Sequence, residues 1–287
     1  MQKYVIITDS GSDLSRELAA EAEVKVVDLY VSVDGADPVA DSALDPKQFY
    51  AELRDKKTAN TSAVNIESFK EAMIPYLEEG LDVLYLGFSS GLSSTYSSGK
   101  IAVEELSEKY PDRKLFAVDT LCASLGEGLI VYLAAQKRFA GESIEEVRDF
   151  VESKKLNLCH WFTVDDLFFL KRGGRVSAAT AVVGSMLSIK PVLHVDDMGR
   201  LINVGKARGR KAAIDALFDK MKETALEPEN QTVFISHGDA IEDAEYLADR
   251  IREELGVKEI KIGYVGPVIG AHAGPGVLAL FFIGSER

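Results

Sequence analysis

The chain has little cysteine, tryptophan or histidine and no long apolar run. Its two cysteines, Cys122 and Cys159, have no paired spacing, so neither a disulfide framework nor a zinc site is indicated. Both stand in apolar surroundings and read as buried thiols. No apolar run approaches the ~20 residues that a membrane-crossing helix needs. Met1-Gln2-Lys3 runs straight into a strand, leaving no room for a signal peptide, and a cytoplasmic protein is expected. Basic residues are outnumbered: 33 Lys and Arg stand against 46 Asp and Glu, a net charge of −13. That balance argues against a nucleic-acid-binding surface and against general attraction to anionic membranes. No Gly-x-Gly-x-x-Gly opens a helix after a strand, and no Walker-type lysine loop is present, so nucleotide binding has no support. No His, Asp or Glu cluster has metal-ligand spacing, and no metal or cofactor is expected. His160, His194 and His237 stand alone and read as satisfied or surface histidines.

What is present is an alternation of short apolar strands with helical segments, which predicts an α/β fold with helices on both faces of a parallel sheet. Strands are expected at 4–8, 24–33, 83–86, 114–118 and 159–164. Helices are expected at 46–57, from near Asn65, up to about Lys109, at 122–139 and at 143–155. A further helix start follows Asp9, with Ser12 or Asp13 as its N-cap. Gly126 and Gly128 are each costly inside a helix by about 1 kcal/mol, and close packing or a poorly formed first turn would account for them. After residue 160 the character changes. A short helix at 165–170, an apolar small-residue helix at 178–187 and a hairpin of 189–195 with 201–204 are expected. Helices at 210–224 and 241–255 then separate strands at 232–237, 259–264 and 277–283. Two α/β domains follow, 1–160 and 161–287, with a cleft between them suited to a ligand.

The stretch from Leu84 to Ser98 organises the rest. A buried strand empties through Gly87 and Gly91 into a hydroxyl-rich helix start, where free backbone N–H groups and the helix dipole suit an anion. Ser89, Ser90, Ser93, Ser94 and Thr95 add neutral donors, although hydroxyls at this position also simply cap helices. Thr58-Ala-Asn-Thr-Ser62 places a second hydroxyl group before a helix. His272 sits between Gly270 and Gly274-Pro275-Gly276, where an imidazole can aim into a cavity from a tight turn.

Two other readings arise from the same residues. Gly87-Phe-Ser89-Ser-Gly91 fits the Gly-x-Ser-x-Gly nucleophile elbow, and Ser89, Asp119 and His272 would follow the serine-hydrolase order. Too few strands precede Ser89 for that fold, and no earlier glycine run supplies an oxyanion hole. Lys171, Arg172 and Arg175, with Lys206, Arg208, Arg210 and Lys211, form two basic runs in an acidic chain. Such runs are usually solvated, but they also suit docking of an acidic partner or a phosphate.

At these residues the chain resembles the DegV family, the fatty-acid-binding subunits of bacterial fatty-acid kinase. The resemblance spans essentially the whole length. It rests on Thr8-Asp-Ser-Gly-Ser-Asp-Leu14, Thr61-Ser62, Gly87-Phe-Ser-Ser-Gly-Leu-Ser-Ser-Thr95 and Asp119-Thr120. Leu167-Phe-Phe-Leu-Lys-Arg-Gly-Gly-Arg-Val-Ser177, Lys190-Pro191, Gly205-Lys-Ala-Arg208, His237-Gly-Asp239 and Gly270-Ala-His-Ala-Gly-Pro-Gly276 continue it. The resemblance implies two α/β domains, a parallel sheet in the first and a mixed α/β second, holding one long-chain fatty acid in a tunnel between them. The carboxylate would be bound by Thr61, Ser93 and His272, with Ser62 and Ser94 beside them. Arg172, Arg175, Lys206 and Arg208 would dock the partner. A separate kinase subunit would phosphorylate the carboxylate to an acyl phosphate for phospholipid synthesis, making this chain a non-catalytic carrier with at most transient membrane contact. The chain departs from the family at Ser94, where glycine is frequent, and at Ala63-Val64-Asn65, where the family has a proline-containing segment. The acyl wall is expected in the helices at 178–187 and 122–132 and in Leu278 to Phe282.

Overall fold

The computed structural model describes residues 3–176 and 189–287. The expected helix at 178–187 lies outside the described residues.

Four parallel strands form the first sheet: β1 (Tyr4–Asp9), β2 (Val24–Val27), β6 (Asp82–Gly87) and β7 (Leu115–Asp119), in the order β2-β1-β6-β7. β1 and β6 are buried at every position, as strands covered on both faces must be. Helices α3 (Ile66–Glu78) and α4 (Thr95–Lys109) pack together against this sheet, and α5 (Leu125–Phe139) and α6 (Ile144–Lys154) form a second pair against it. The helix after Asp9 is shorter and later than expected: α1 spans Arg16–Glu21 and is capped by Ser15. Ser10–Ser12 form a 3-10 turn capped by Asp9.

The expected strand at 24–33 is two strands in two sheets. β2 ends at Val27, and β3 (Tyr30–Val33) pairs instead with β4 (Val39–Ala40) and β5 (Ala59–Ser62) in a small antiparallel sheet. The polar Asp28 at the junction binds Ser42 through its carboxylate where the chain leaves the first sheet. Helix α2 (Pro46–Arg54) lies between β4 and β5 in the chain.

The remaining strands form a mixed sheet of six in the order β10-β9-β8-β13-β11-β12. They are β8 (Leu158–Thr163), β9 (Ile189–Val195), β10 (Leu201–Arg208), β11 (Thr232–His237), β12 (Glu259–Tyr264) and β13 (Leu278–Ile283). The sequence-based boundary at 160 falls inside β8. α7 (Leu167–Arg172) follows that strand. α8 (Arg210–Thr224) and α9 (Ile241–Leu255) cover one face with Ile214, Leu217, Phe218, Met221, Leu247 and Ile251, a separate apolar core. The other face receives α5, which therefore lies between the two large sheets and is buried along most of its length. This explains its glycines. A Cβ on Gly126 would stand 2.2 Å from His160 Nε2, and one on Gly128 would stand 2.7 Å from the Ser12 carbonyl oxygen.

The stretch after Tyr264 is not only a turn. Pro267–Ala273 form a two-turn helix, α10, packed against α2, β3, β5 and α7. Its proline stands at the first helical position, where no N–H is missed. Thus a segment late in the chain completes the neighbourhood of the earliest elements.

Candidate binding cavity between the sheets

An apolar cavity lies where these layers meet. Its walls come from Leu29, which links β2 to β3, and from Phe88 and Leu92 after β6. Phe162 of β8, Ala279 and Phe281 of β13, and Val268 and Ile269 of α10 complete them. The space not filled by protein atoms is about 750 Å³, part of it open to solvent. Of the described part of the wall expected from the sequence, Ala123, Ser124, Ala279 and Phe281 line it.

Its polar groups are few. Thr61 Oγ1 lies 2.9 Å from His272 Nε2, joining β5 to the end of α10 across 211 residues of sequence. Burial, with help from Arg175 and Arg172, lowers the His272 pKa to about 4, so the imidazole is neutral at pH 7. Its Nδ1 is buried without a partner among the described residues, packed where a side chain on Gly173 would come within 2.2 Å. In the tautomer with its proton on Nε2, which leaves no N–H unpaired among the described residues, His272 donates to Thr61 and the threonine hydroxyl keeps its own proton for an acceptor in the cavity. Ser93 Oγ also lines the cavity, 2.9 Å from Thr95 Oγ1, and accepts from the Thr95 backbone N–H at 3.2 Å. These are neutral donors suited to a carboxylate.

Ser62 and Ser94 do not join them. Both are exposed, and neither lines this cavity. The reason at Ser62 is strand geometry: successive side chains of β5 point to opposite faces, and Thr61 takes the inner one. At Ser94 the chain has already turned outward to begin α4, and the hydroxyl makes no cap hydrogen bond.

Arg175, expected on an outer docking surface, is half-buried in the cavity wall. The chain folds back over the end of α7, where Arg175 N donates to the Leu170 carbonyl. Its guanidinium donates to the carbonyls of Leu92 (3.3 Å) and Gly173, with no carboxylate partner among the described residues. Arg172 is exposed, its guanidinium 4.8 Å from the Phe169 ring centre, in a polar dent that shares Thr61, Arg175 and His272 with the cavity. Lys206 and Arg208 are exposed on β10, an edge strand, apart from the cavity.

The hydrolase constellation is not assembled. Ser89 Oγ is buried and donates to the Gly199 carbonyl at 2.8 Å, which ties the central loop to the β9–β10 hairpin. Asp119 accepts from the backbone of Ser90 and Leu121, and His272 is engaged with Thr61.

Two polar wall residues are not among the expected site residues. His160 is fully buried and its pKa falls well below the ordinary value, chiefly through burial. Its Nε2 accepts from the Ala123 N–H at 3.3 Å. Ser124 bonds Asp13 and Ser236. Alternation along β8 puts His160 on the face of Phe162, but the sequence does not show which face meets a cavity. His194 stacks on Trp161 at 4.4 Å, and His237 accepts from the Ala240 N–H. Both cysteines are buried, their thiols pushed by burial to about 11 (Cys122) and about 12 (Cys159). Among the described residues no group of three or more His, Cys, Asp or Glu could hold a metal ion, and no helix is long and apolar enough to cross a membrane.

A family model described as "Uncharacterised protein, DegV family" matches residues 3–285. The chain belongs to the DegV family. A DegV domain-containing protein of Clostridium perfringens is 48% identical over 289 residues, covering 100% of this chain and 99% of that one. A solved structure described as "Fatty Acid Binding of a DegV family Protein from Thermus thermophilus" is similar with a TM-score of 0.88 and 31% identity, covering 99% of this chain and 100% of that one. A DegV lipid binding protein from Thermotoga maritima has a TM-score of 0.86 at 30% identity, with both chains covered in full. The mixed α/β architecture, with one parallel and one mixed sheet, is thus the DegV fold.

Proposed function

We propose that this DegV protein binds one long-chain fatty acid in the cavity between its two large sheets, with the carboxylate at Thr61, Ser93 and His272. In this reading the chain is a cytoplasmic, cofactor-free, non-catalytic carrier of two domains. It presents the head group to a separate fatty-acid kinase subunit, which forms an acyl phosphate for phospholipid synthesis. The single observation that carries the reading is the Thr61–His272 pair at a mainly apolar cavity. A neutral histidine donating to a threonine leaves one hydroxyl proton directed at an anion, while each buried methylene of a tail adds about 0.8 kcal/mol. Fatty-acid binding by similar DegV structures supports the ligand class. Arg172, with Lys206 and Arg208, supplies exposed cations for docking the kinase.

Mass spectrometry of lipid extracted from the purified protein tests the ligand, and a long-chain fatty acid is the expected finding. Thr61→Val should weaken palmitate binding about tenfold, the worth of one hydrogen bond to a charged group. Gly173→Ala should weaken it as well, because the new methyl group meets the His272 ring. No extracted fatty acid together with no binding of added palmitate would reject the proposal.

A further inference from the structure

The helix that carries His272 is held at its other end by acids from the start of the chain. Asp13 Oδ1 accepts from the Gly266 N–H at 3.0 Å, and Asp41 Oδ1 accepts from the Val268 N–H at 3.0 Å. Pro267 between them has no N–H to offer. The Tyr50 hydroxyl donates to the Val265 carbonyl at 2.8 Å, and a side chain on Gly270 would meet that same hydroxyl at 2.5 Å. All three anchors lie within the first fifty residues, whereas α10 lies near the end of the chain. Asp13 has a further link: its second carboxylate oxygen accepts from Ser124, which lines the cavity.

α10 has seven residues and is about 10 Å long. Val268, Ile269, His272 and Ala273 line the cavity from it. A helix this short has little internal stability, so its axial position depends on what fixes its ends. At the far end a turn through Gly274 follows, with φ of 78°, and the His272 side chain meets Thr61 and packs close to Gly173. At the near end the backbone itself is held, through the bonds to Asp13 and Asp41.

We propose that Asp41, with Asp13, is a positioning residue for the head-group site: the two carboxyl groups set the axial position of α10 and thereby the reach of His272 to Thr61. This rests on the head-group reading above. Neither acid lines the cavity. Their side chains act on backbone N–H groups four and six residues before His272, so their effect on binding passes through that histidine. A plain packing role would instead act on the cavity as a whole and would not depend on the imidazole.

A double-mutant cycle on the full chain separates the two, with palmitate as probe and calorimetry as readout. Asp41→Ala is expected to weaken palmitate binding about tenfold in the unsubstituted chain and less than twofold in a His272→Ala background. Asp41→Asn, which keeps an acceptor for Val268, should restore binding to within about twofold. Equal losses in both backgrounds, or an Asn variant as weak as the Ala variant, would overturn the proposal while leaving the head-group reading intact. Failure of the unsubstituted chain to bind palmitate would overturn both together. Should Asp41→Ala not fold, the same cycle with Asp13→Ala decides by the same criteria.

Discussion

Around the carboxyl end of β1 lie Asp9, Asp13, Asp41 and Glu127, each with hydrogen bonds to neighbouring hydroxyl or backbone groups. Between the six-stranded sheet and its covering helices lie Ile214, Leu217, Phe218, Met221, Leu247 and Ile251. Its acids stay at the rim: Arg250 bridges Asp215 and Glu254, and among the described residues no buried carboxylate follows Glu127. Burial pushes Asp9 up to about 6 and Asp41 up to about 7, and it raises Asp13 and Glu127 well above the ordinary range. Acids in such places cost stability unless every proton and lone pair is matched. The first region accepts that cost because it fixes loops and α10 around a cavity. The second is a packed support and has no use for interior charge.

The contrast can be broken most strongly in the packed region. Phe218→Ala should destabilise the chain by about 3–5 kcal/mol, the usual loss for a fully buried aromatic, as read from urea unfolding. A loss under 1 kcal/mol would show that this core is not what supports the fold.

Asp41→Asn sharpens the polar side through pH. The folded-state pKa of Asp41 is raised from 3.8 to about 7, mainly by burial, with the Val268 N–H and Ser10 hydroxyl opposing and Asp28 adding to it. The folded state therefore holds this proton more tightly than the unfolded chain, and its contribution to stability is lost as pH rises from about 4 to about 7. The asparagine does not titrate. The variant should thus gain stability relative to the unsubstituted chain across that window, measured by urea unfolding at several pH values. A constant difference would place the titration elsewhere.

The smallest effect is expected at the rim of the packed region. Arg252→Ala removes an exposed pair with Asp249 and should change stability by about 0.5 kcal/mol or less. A larger loss would mean that surface charge matters more on this side than its exposure suggests.

Much of the secondary structure was legible in residue order. The helices Arg210–Thr224 and Ile241–Leu255 and the strands Thr232–His237 and Glu259–Tyr264 agree with the expected ranges, because apolar period and turn residues are local signals. The break after Val27 was not, since Val24 to Val33 is apolar enough to continue, and the bonds at the junction, Asp28 with Ser42 and Leu29 with Ser10 and Asp41, are non-local. α10 was missed because its glycines and prolines read as a turn. Its first turn is bonded by Asp13, Asp41 and Tyr50, more than two hundred residues away in the chain.

The sequence by itself determined the alternating α/β pattern, the DegV blocks and the hydroxyl-rich segments near Thr61 and Ser93. The resemblance already favoured Thr61 and Ser93, but only the tertiary structure decided that Ser62 and Ser94 face outward beside them. It also decided that Arg175 and His160 belong to the cavity wall. The physical reason is that residue type and spacing are fixed along the chain, whereas the inward face of a strand or loop is set by what packs against it. Here that partner is a helix from the far end of the polypeptide.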